Sequence, residues 1–212
     1  MDKFPKVGIL DYGTGNIASL FKALKTIGSS PYLVTDKTKL KQSKSLILPG
    51  VGHFGEAIKS LKKNEMIENL NYLVSSGVPI LGICLGFQLL TNSSEESPEE
   101  NGLGIFPMKT IKINPCNKTK IKVPHMGWNS IENINKQLKL FRNIKFQNQL
   151  FFFSNGYGIR KNHSNIINTA NYLHEIEWVA IAEKRNVFGV QFHPEKSRSQ
   201  GLTLLKNFLS IS

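Results

Sequence analysis

The sequence predicts an α/β fold, an open mixed and largely parallel sheet with helices on both faces. Three observations carry this. In the first hundred residues short apolar runs alternate with helical patterns. Several of the runs stop at turns rich in Gly and Pro. Later segments alternate apolar with polar residues, as antiparallel or mixed strands with one wet face do. A chain of 212 residues can bury a good core and fits one domain, residues 1–212, better than two.

The elements follow in order. Val7-Gly8-Ile9-Leu10 reads as a buried strand. Asn16 can cap a helix through Leu20, Phe21, Leu24 and Ile27, spaced three and four apart, with Gly28 at its end. Tyr32-Leu33-Val34 is a second strand. Ser45 to Leu48 is a third, stopped by Pro49-Gly50. Phe54 to Leu61 and Met66 to Val74 have helical spacing. Val78 to Leu81 is a fourth strand, followed by a turn and a helix through Phe87 to Leu90. Ile111 to Ile113, Ile121 to Val123 and Trp178 to Ala182 read as the strands with one wet face. Phe151-Phe152-Phe153 and Val187 to Phe192 read as buried strands, and Gly201 to Leu209 as a closing amphipathic helix.

Composition narrows the function. With 40% hydrophobic and 20% charged residues the chain resembles an ordinary soluble globular protein. It has no apolar run near the roughly 18 residues of a membrane span, and its N-terminus lacks signal-peptide features. A cytoplasmic protein is expected. The net charge is +12, from 27 Lys and Arg against 15 Asp and Glu. The lysines, such as Lys37, Lys39, Lys41 and Lys44, carry no interleaved aromatics for base stacking, so nucleic acid is not the expected partner. Phosphorylated substrates or an acidic partner surface suit the charge better. His53, His125, His163 and His174 lack metal-ligand spacing, and neither a metal nor a cofactor is expected. Of the two cysteines, Cys116 has no motif around it.

Cys84 does. Gly82-Ile83-Cys84-Leu85-Gly86 lies between a strand and a helix, the context of a nucleophile elbow with Cys in place of Ser. The tight turn strains the central residue, and the flanking glycines supply room. The helix N-terminus favours thiolate, and the Leu85 N–H becomes an oxyanion donor. A nucleophile needs a base and the base an orienter. His193 follows the apolar run Val187 to Phe192, and in an extended chain Glu195 shares its side. A Cys84–His193–Glu195 triad is expected. Pro49-Gly50-Val51-Gly52 ends the third strand, beside the elbow in a parallel sheet. Its glycines allow close backbone approach, and Val51 or Gly52 can give the second oxyanion N–H.

A rival reading takes Gly13-Thr14-Gly15-Asn16-Ile17-Ala18 as a dinucleotide-binding turn, with Asp36 about 20 residues on as the ribose ligand. It leaves Cys84, the Gly50 and Gly52 pair, and His193-x-Glu195 unexplained. A catalytically dead interaction protein is a third reading, opposed by the intact Cys, His and Glu.

Together these motifs resemble the class I glutamine amidotransferases, and within them the glutaminase subunits of imidazole glycerol phosphate synthases. Gly8 to Asn16 looks like that family's opening strand and loop. Leu48 to Glu56, Pro124-His125-Met126-Gly127-Trp128-Asn129 and His193-Pro194-Glu195-Lys196-Ser197 are similar to its further motifs, so the likeness spans nearly the whole chain. The resemblance implies that Cys84 attacks the carboxamide of L-glutamine, that Gln88 helps hold glutamine, and that Asn16, Trp128 and Lys196 lie near the glutamine site and a subunit interface. It implies a heterodimer with a (β/α)8-barrel cyclase that uses the ammonia for imidazole glycerol phosphate in histidine biosynthesis. An alternative is a paralogue serving a surface-sugar amidotransferase. One departure stands out. Ser154-Asn155-Gly156-Tyr157 replaces the His-Ser-Tyr-Tyr-like run that lines the family's glutamine pocket, a change that backbone contacts survive and side-chain contacts do not.

Overall fold

The structure is a computed structural model that describes residues 4–13, 17–114, 123–132, 137–144, 150–160, 168–174 and 176–211. Its elements run β1 (Val7–Leu10), α1 (Ile17–Thr26), β2 (Pro31–Val34), α2 (Lys37–Lys41), β3 (Leu46–Leu48), α3 (Phe54–Lys63), α4 (Ile67–Ser75), β4 (Ile80–Ile83), α5 (Leu85–Leu89), β5 (Thr91–Ser94), β6 (Phe106–Lys112), β7 (His125–Ser130), β8 (Leu150–Asn155), β9 (Tyr157–Ile159), β10 (Asn168–His174), β11 (Ile176–Lys184), β12 (Val187–Val190) and α6 (Arg198–Leu209). Short 3-10 turns cover Lys139–Phe141 and Pro194–Lys196.

Seven strands form one sheet in the order β10-β11-β12-β4-β3-β1-β2. From β2 to β12 neighbours pair in parallel, while β11 and β10 extend the sheet antiparallel. Every residue of β1, β4 and β12 is buried, because helices cover both faces, and such strands read as unbroken apolar runs. Alternation along each strand divides the core in two. Ile9, Ile47, Leu81 and Phe188 join Leu20 and Leu24 of α1 and Leu205 and Phe208 of α6. Leu10, Leu46, Leu48 and Ile80 join Leu40 of α2, Phe54 and Leu61 of α3, and Leu70 of α4 on the other face. Emptying either core is expensive: truncating one fully buried Leu such as Leu24 to Ala costs roughly 2–5 kcal/mol.

The mixed, largely parallel sheet with helices on both faces is therefore present, with differences in detail. Trp178–Ala182 has no wet face; all five residues are buried, because Trp178, Ala180 and Ile181 pack into one core and Val179 and Ala182 into the other. Phe151–Phe153 does not join the main sheet. It lies in β8, which among the described residues pairs with β7, and its burial alternates with Phe152 half-buried. A third small sheet, β5-β6-β9, covers Ile111 and Lys112. Helix α2 has no apolar periodicity, with Leu40 as its one buried residue, yet Asp36 caps it by accepting the Lys39 N–H at 2.9 Å. Asn16, Cys116, His163, Ile121 and Lys122 lie outside the described residues. Among the described residues no helix is long and apolar enough to cross a membrane.

The strand order sets the site. β12, β4 and β3 are neighbours and parallel, so the segments that follow them meet at their carboxyl ends. Those segments carry His193, Cys84 and Pro49–Gly52.

Candidate active site

Cys84 sits at the turn from β4 into α5 with φ 52° and ψ −106°. A non-glycine residue held there costs about 1–3 kcal/mol, which the surrounding structure must overcome. The backbone is pinned on both sides: Cys84 N–H donates to Val190 O at 2.8 Å, and Gln88 N–H donates to Cys84 O at 3.1 Å. The flanking glycines are required by contact rather than by dihedral. A Cβ on Gly86 would meet Leu48 O at 2.0 Å, and one on Gly82 would meet the Gly86 backbone at 2.7 Å. Helix α5 thus lies directly on β3.

His193 follows β12 and is 2% exposed. Its N–H donates to Phe152 O at 2.8 Å, and its carbonyl accepts from Ser197 Oγ at 2.6 Å. Nδ1 pairs with Glu195 Oε1 at 2.9 Å. Glu195 reaches the ring through the 3-10 turn Pro194–Lys196, and not through the extended chain expected from sequence. Burial alone would push His193 down. The Cys84 sulfur and the Glu195 carboxylate outweigh it and raise the imidazole from 6.5 to about 10. Nε2 is buried without a well-formed hydrogen bond, its neighbour being sulfur rather than nitrogen or oxygen.

Pro49, Gly50 and Val51 line a narrow crevice with Leu20, Ile83, His193 and Glu195. The Tyr12 hydroxyl donates to Pro49 O and ties this loop to the segment after β1. Gly50 is packed so closely on α5 that a Cβ there would meet Leu85 Cβ at 2.7 Å and Gly86 N at 3.2 Å. Gly52 has φ +139°, where side chains are strained. Leu85, buried, opens α5 directly after the sulfur. The loop Pro49–Gly52 therefore packs on the start of α5 and shares a crevice with His193 and Glu195.

Gln88 is buried one turn along α5. Its Nε2 donates to Tyr157 O at 3.0 Å and to Gln191 Oε1 at 3.2 Å. Ser154 O lies 3.9 Å from Cys84 Sγ. The divergent run Ser154–Tyr157 thus reaches the site through carbonyls, which a change of side chains leaves in place. Trp128 is 38% exposed on β7, edge-on to Phe152, with the Arg198 guanidinium 4.7 Å from its ring centre. Lys196 Nζ stands 5.6 Å from the Phe152 ring centre. Both border the His193 turn. Neither Gln191, whose side chain reaches the sulfur, nor Glu96, whose carboxylate accepts the Phe54 N–H at 2.7 Å beside the Gly52 loop, has a local pattern that marks it. Among the described residues no group of three or more His, Cys, Asp or Glu is placed to hold a metal. Asp36, the ribose ligand of the dinucleotide reading, is spent on capping α2.

This fold and site define a class of α/β protein in which a buried cysteine on a strand–helix elbow faces a histidine held by glutamate. Comparison with known proteins places it more narrowly. Residues 8–211 match the family "Glutamine amidotransferase class-I". The chain is 40% identical to the imidazole glycerol phosphate synthase subunit HisH of Pyrococcus furiosus, over 96% of this chain and 97% of that one. It is 39% identical to the subunit of the same name from Bacillus subtilis, over 97% and 96%. The fold is also similar to that of PurLQS from Thermotoga maritima, with TM-score 0.76, 19% identity and 98% of each chain covered. The chain belongs to the class I glutamine amidotransferases.

Proposed function

We propose that this chain is the glutaminase subunit of an imidazole glycerol phosphate synthase, with Cys84, His193 and Glu195 as its catalytic triad. The carrying observation is the elbow thiol set against an imidazole whose other nitrogen is bound 2.9 Å from Glu195. The relatives named for that synthase, matched over nearly their whole length, support the choice of pathway.

The Cys84 sulfur attacks the side-chain carbonyl carbon of L-glutamine. The developing oxyanion is held by the Leu85 N–H and by an N–H of the Gly50–Gly52 loop, from Val51 or Gly52. His193, protonated at neutral pH, gives its proton to the departing nitrogen, and ammonia leaves as the C–N bond breaks. The neutral imidazole then takes a proton from water. That water hydrolyses the glutamyl thioester to glutamate and returns the thiol. Glu195 holds the ring and stabilises the imidazolium without itself taking the proton. Gln88 helps hold the glutamine.

The ammonia passes to a separate (β/α)8-barrel cyclase. There it reacts with a phosphorylated ribulosyl formimino carboxamide ribonucleotide to give imidazole glycerol phosphate and an aminoimidazole carboxamide ribonucleotide. Trp128 and Lys196, beside the His193 turn, face that partner. A cytoplasmic location belongs to the same proposal. The test is ammonia release by the chain co-expressed with its cyclase. Cys84→Ala and Cys84→Ser abolish it; release by Cys84→Ala at the parental rate refutes the mechanism.

A further inference from the structure

Gln191 lies at the end of β12, two residues before His193, and is 0% exposed. A buried amide must satisfy both of its ends, and here each end meets a residue of the site. Its Nε2 lies 3.5 Å from Cys84 Sγ, and its Oε1 accepts from Gln88 Nε2 at 3.2 Å. The two ends of a side-chain amide differ chemically, so which end faces the sulfur decides the effect.

The neighbours settle that orientation. Tyr157 O is a backbone carbonyl and can only accept. It takes hydrogen bonds from Gln88 Nε2 at 3.0 Å and Asn155 Nδ2 at 2.8 Å. The NH2 end of Gln88 must therefore point to Tyr157, and it extends to Gln191 as well. Gln191 then has to present its carbonyl to Gln88. Its NH2 is left for the sulfur. The polarity runs from a fixed carbonyl through two amides into Cys84, and bonds chained this way reinforce one another. An N–H aimed at sulfur favours the anion, which can only accept, over the neutral thiol.

We propose that the Gln191 side-chain amide is a positioning residue that donates a hydrogen bond to the Cys84 thiolate, its direction fixed by the Tyr157 carbonyl through Gln88. The proposal rests on the reading of Cys84 as the nucleophile. It explains why this polar side chain is buried at the end of an apolar strand, and it couples the residue that holds glutamine to the atom that attacks it.

The test is the pH profile of Cys84 alkylation by iodoacetamide in the chain with its cyclase partner. Gln191→Met keeps the length and removes the N–H. The profile moves to higher pH by about one unit, a tenfold change in the thiolate equilibrium. Gln191→Glu sets a carboxylate against the sulfur and moves the profile further the same way. A Gln191→Met protein with native circular dichroism and the parental profile overturns the proposal, since a purely structural role would leave the profile in place. A second readout needs no substitution: the Gln191 side-chain amide proton resonances of the parental protein shift when Cys84 is alkylated, and their failure to move overturns it equally. Failure of the nucleophile reading shows separately, as ammonia release by Cys84→Ala, and leaves the alkylation profile to report on the hydrogen bond alone.

Discussion

His193 should titrate with a midpoint near 10 instead of the usual 6.5 when followed by nitrogen-15 NMR in the histidine-labelled protein. At 1.36 kcal/mol per pH unit, the displacement is a preference for the imidazolium of about 5 kcal/mol, already net of burial. With the ring 2% exposed, solvent screening takes little from it. Burial opposes the charge most strongly; Cys84 and then Glu195 overcome it. Cys84→Ala removes the larger support, lets burial dominate, and brings the midpoint down sharply. Glu195→Gln brings it down by less. Because the folded form binds this proton more tightly than the unfolded chain, the contribution to stability is fully present below pH 6.5. It is lost as pH rises through about 10, so the urea midpoint should fall across that window. A parental midpoint near 6.5, or one that Cys84→Ala leaves unmoved, would refute the pairing.

Gly86→Ala places a Cβ 2.0 Å from Leu48 O, so α5 must withdraw from β3. A loss of about 3 kcal/mol in chemical denaturation and of most ammonia release is expected; a stable, active variant would show that the elbow tolerates slack. Glu183, buried on β11, accepts the Lys139 and Leu140 N–H groups at 2.9 Å each. Glu183→Ala strands both donors and should lower stability by about 2–4 kcal/mol in urea, a loss that Glu183→Gln partly restores. Finally, the chain without the proposed cyclase partner should release little ammonia, because ammonia made early is wasted; high activity of the isolated chain would count against that coupling.

Much of this was legible in the sequence because the information is local. Continuous apolar runs announced β1, β3, β4 and β12, since a parallel strand covered on both faces has no polar side to show. The glycines of the elbow were legible because α5 touches β3 at van der Waals distance, which excludes any side chain. Helix α2 escapes because it is short, lysine-rich and buries only Leu40; its one signal, Asp36 as an N-cap, enters the sequence reading only through the rival dinucleotide reading. Trp178–Ala182 reads as a half-wet strand because sequence does not reveal that each of its faces meets a separate core. Gln191 shows the limit most clearly. Its partners Cys84, Gln88 and, through Gln88, Tyr157 come from distant segments, and only the strand order brings them together.

The proposed reaction begins with attack of the Cys84 sulfur on glutamine. Incubating the chain and its cyclase partner with a glutamine-analogue electrophile, then mapping the adduct by peptide mass spectrometry, tests this directly. One equivalent on Cys84, prevented by excess glutamine, is the expected result. An adduct on any other residue, or labelling of Cys84 that glutamine does not slow, would contradict it.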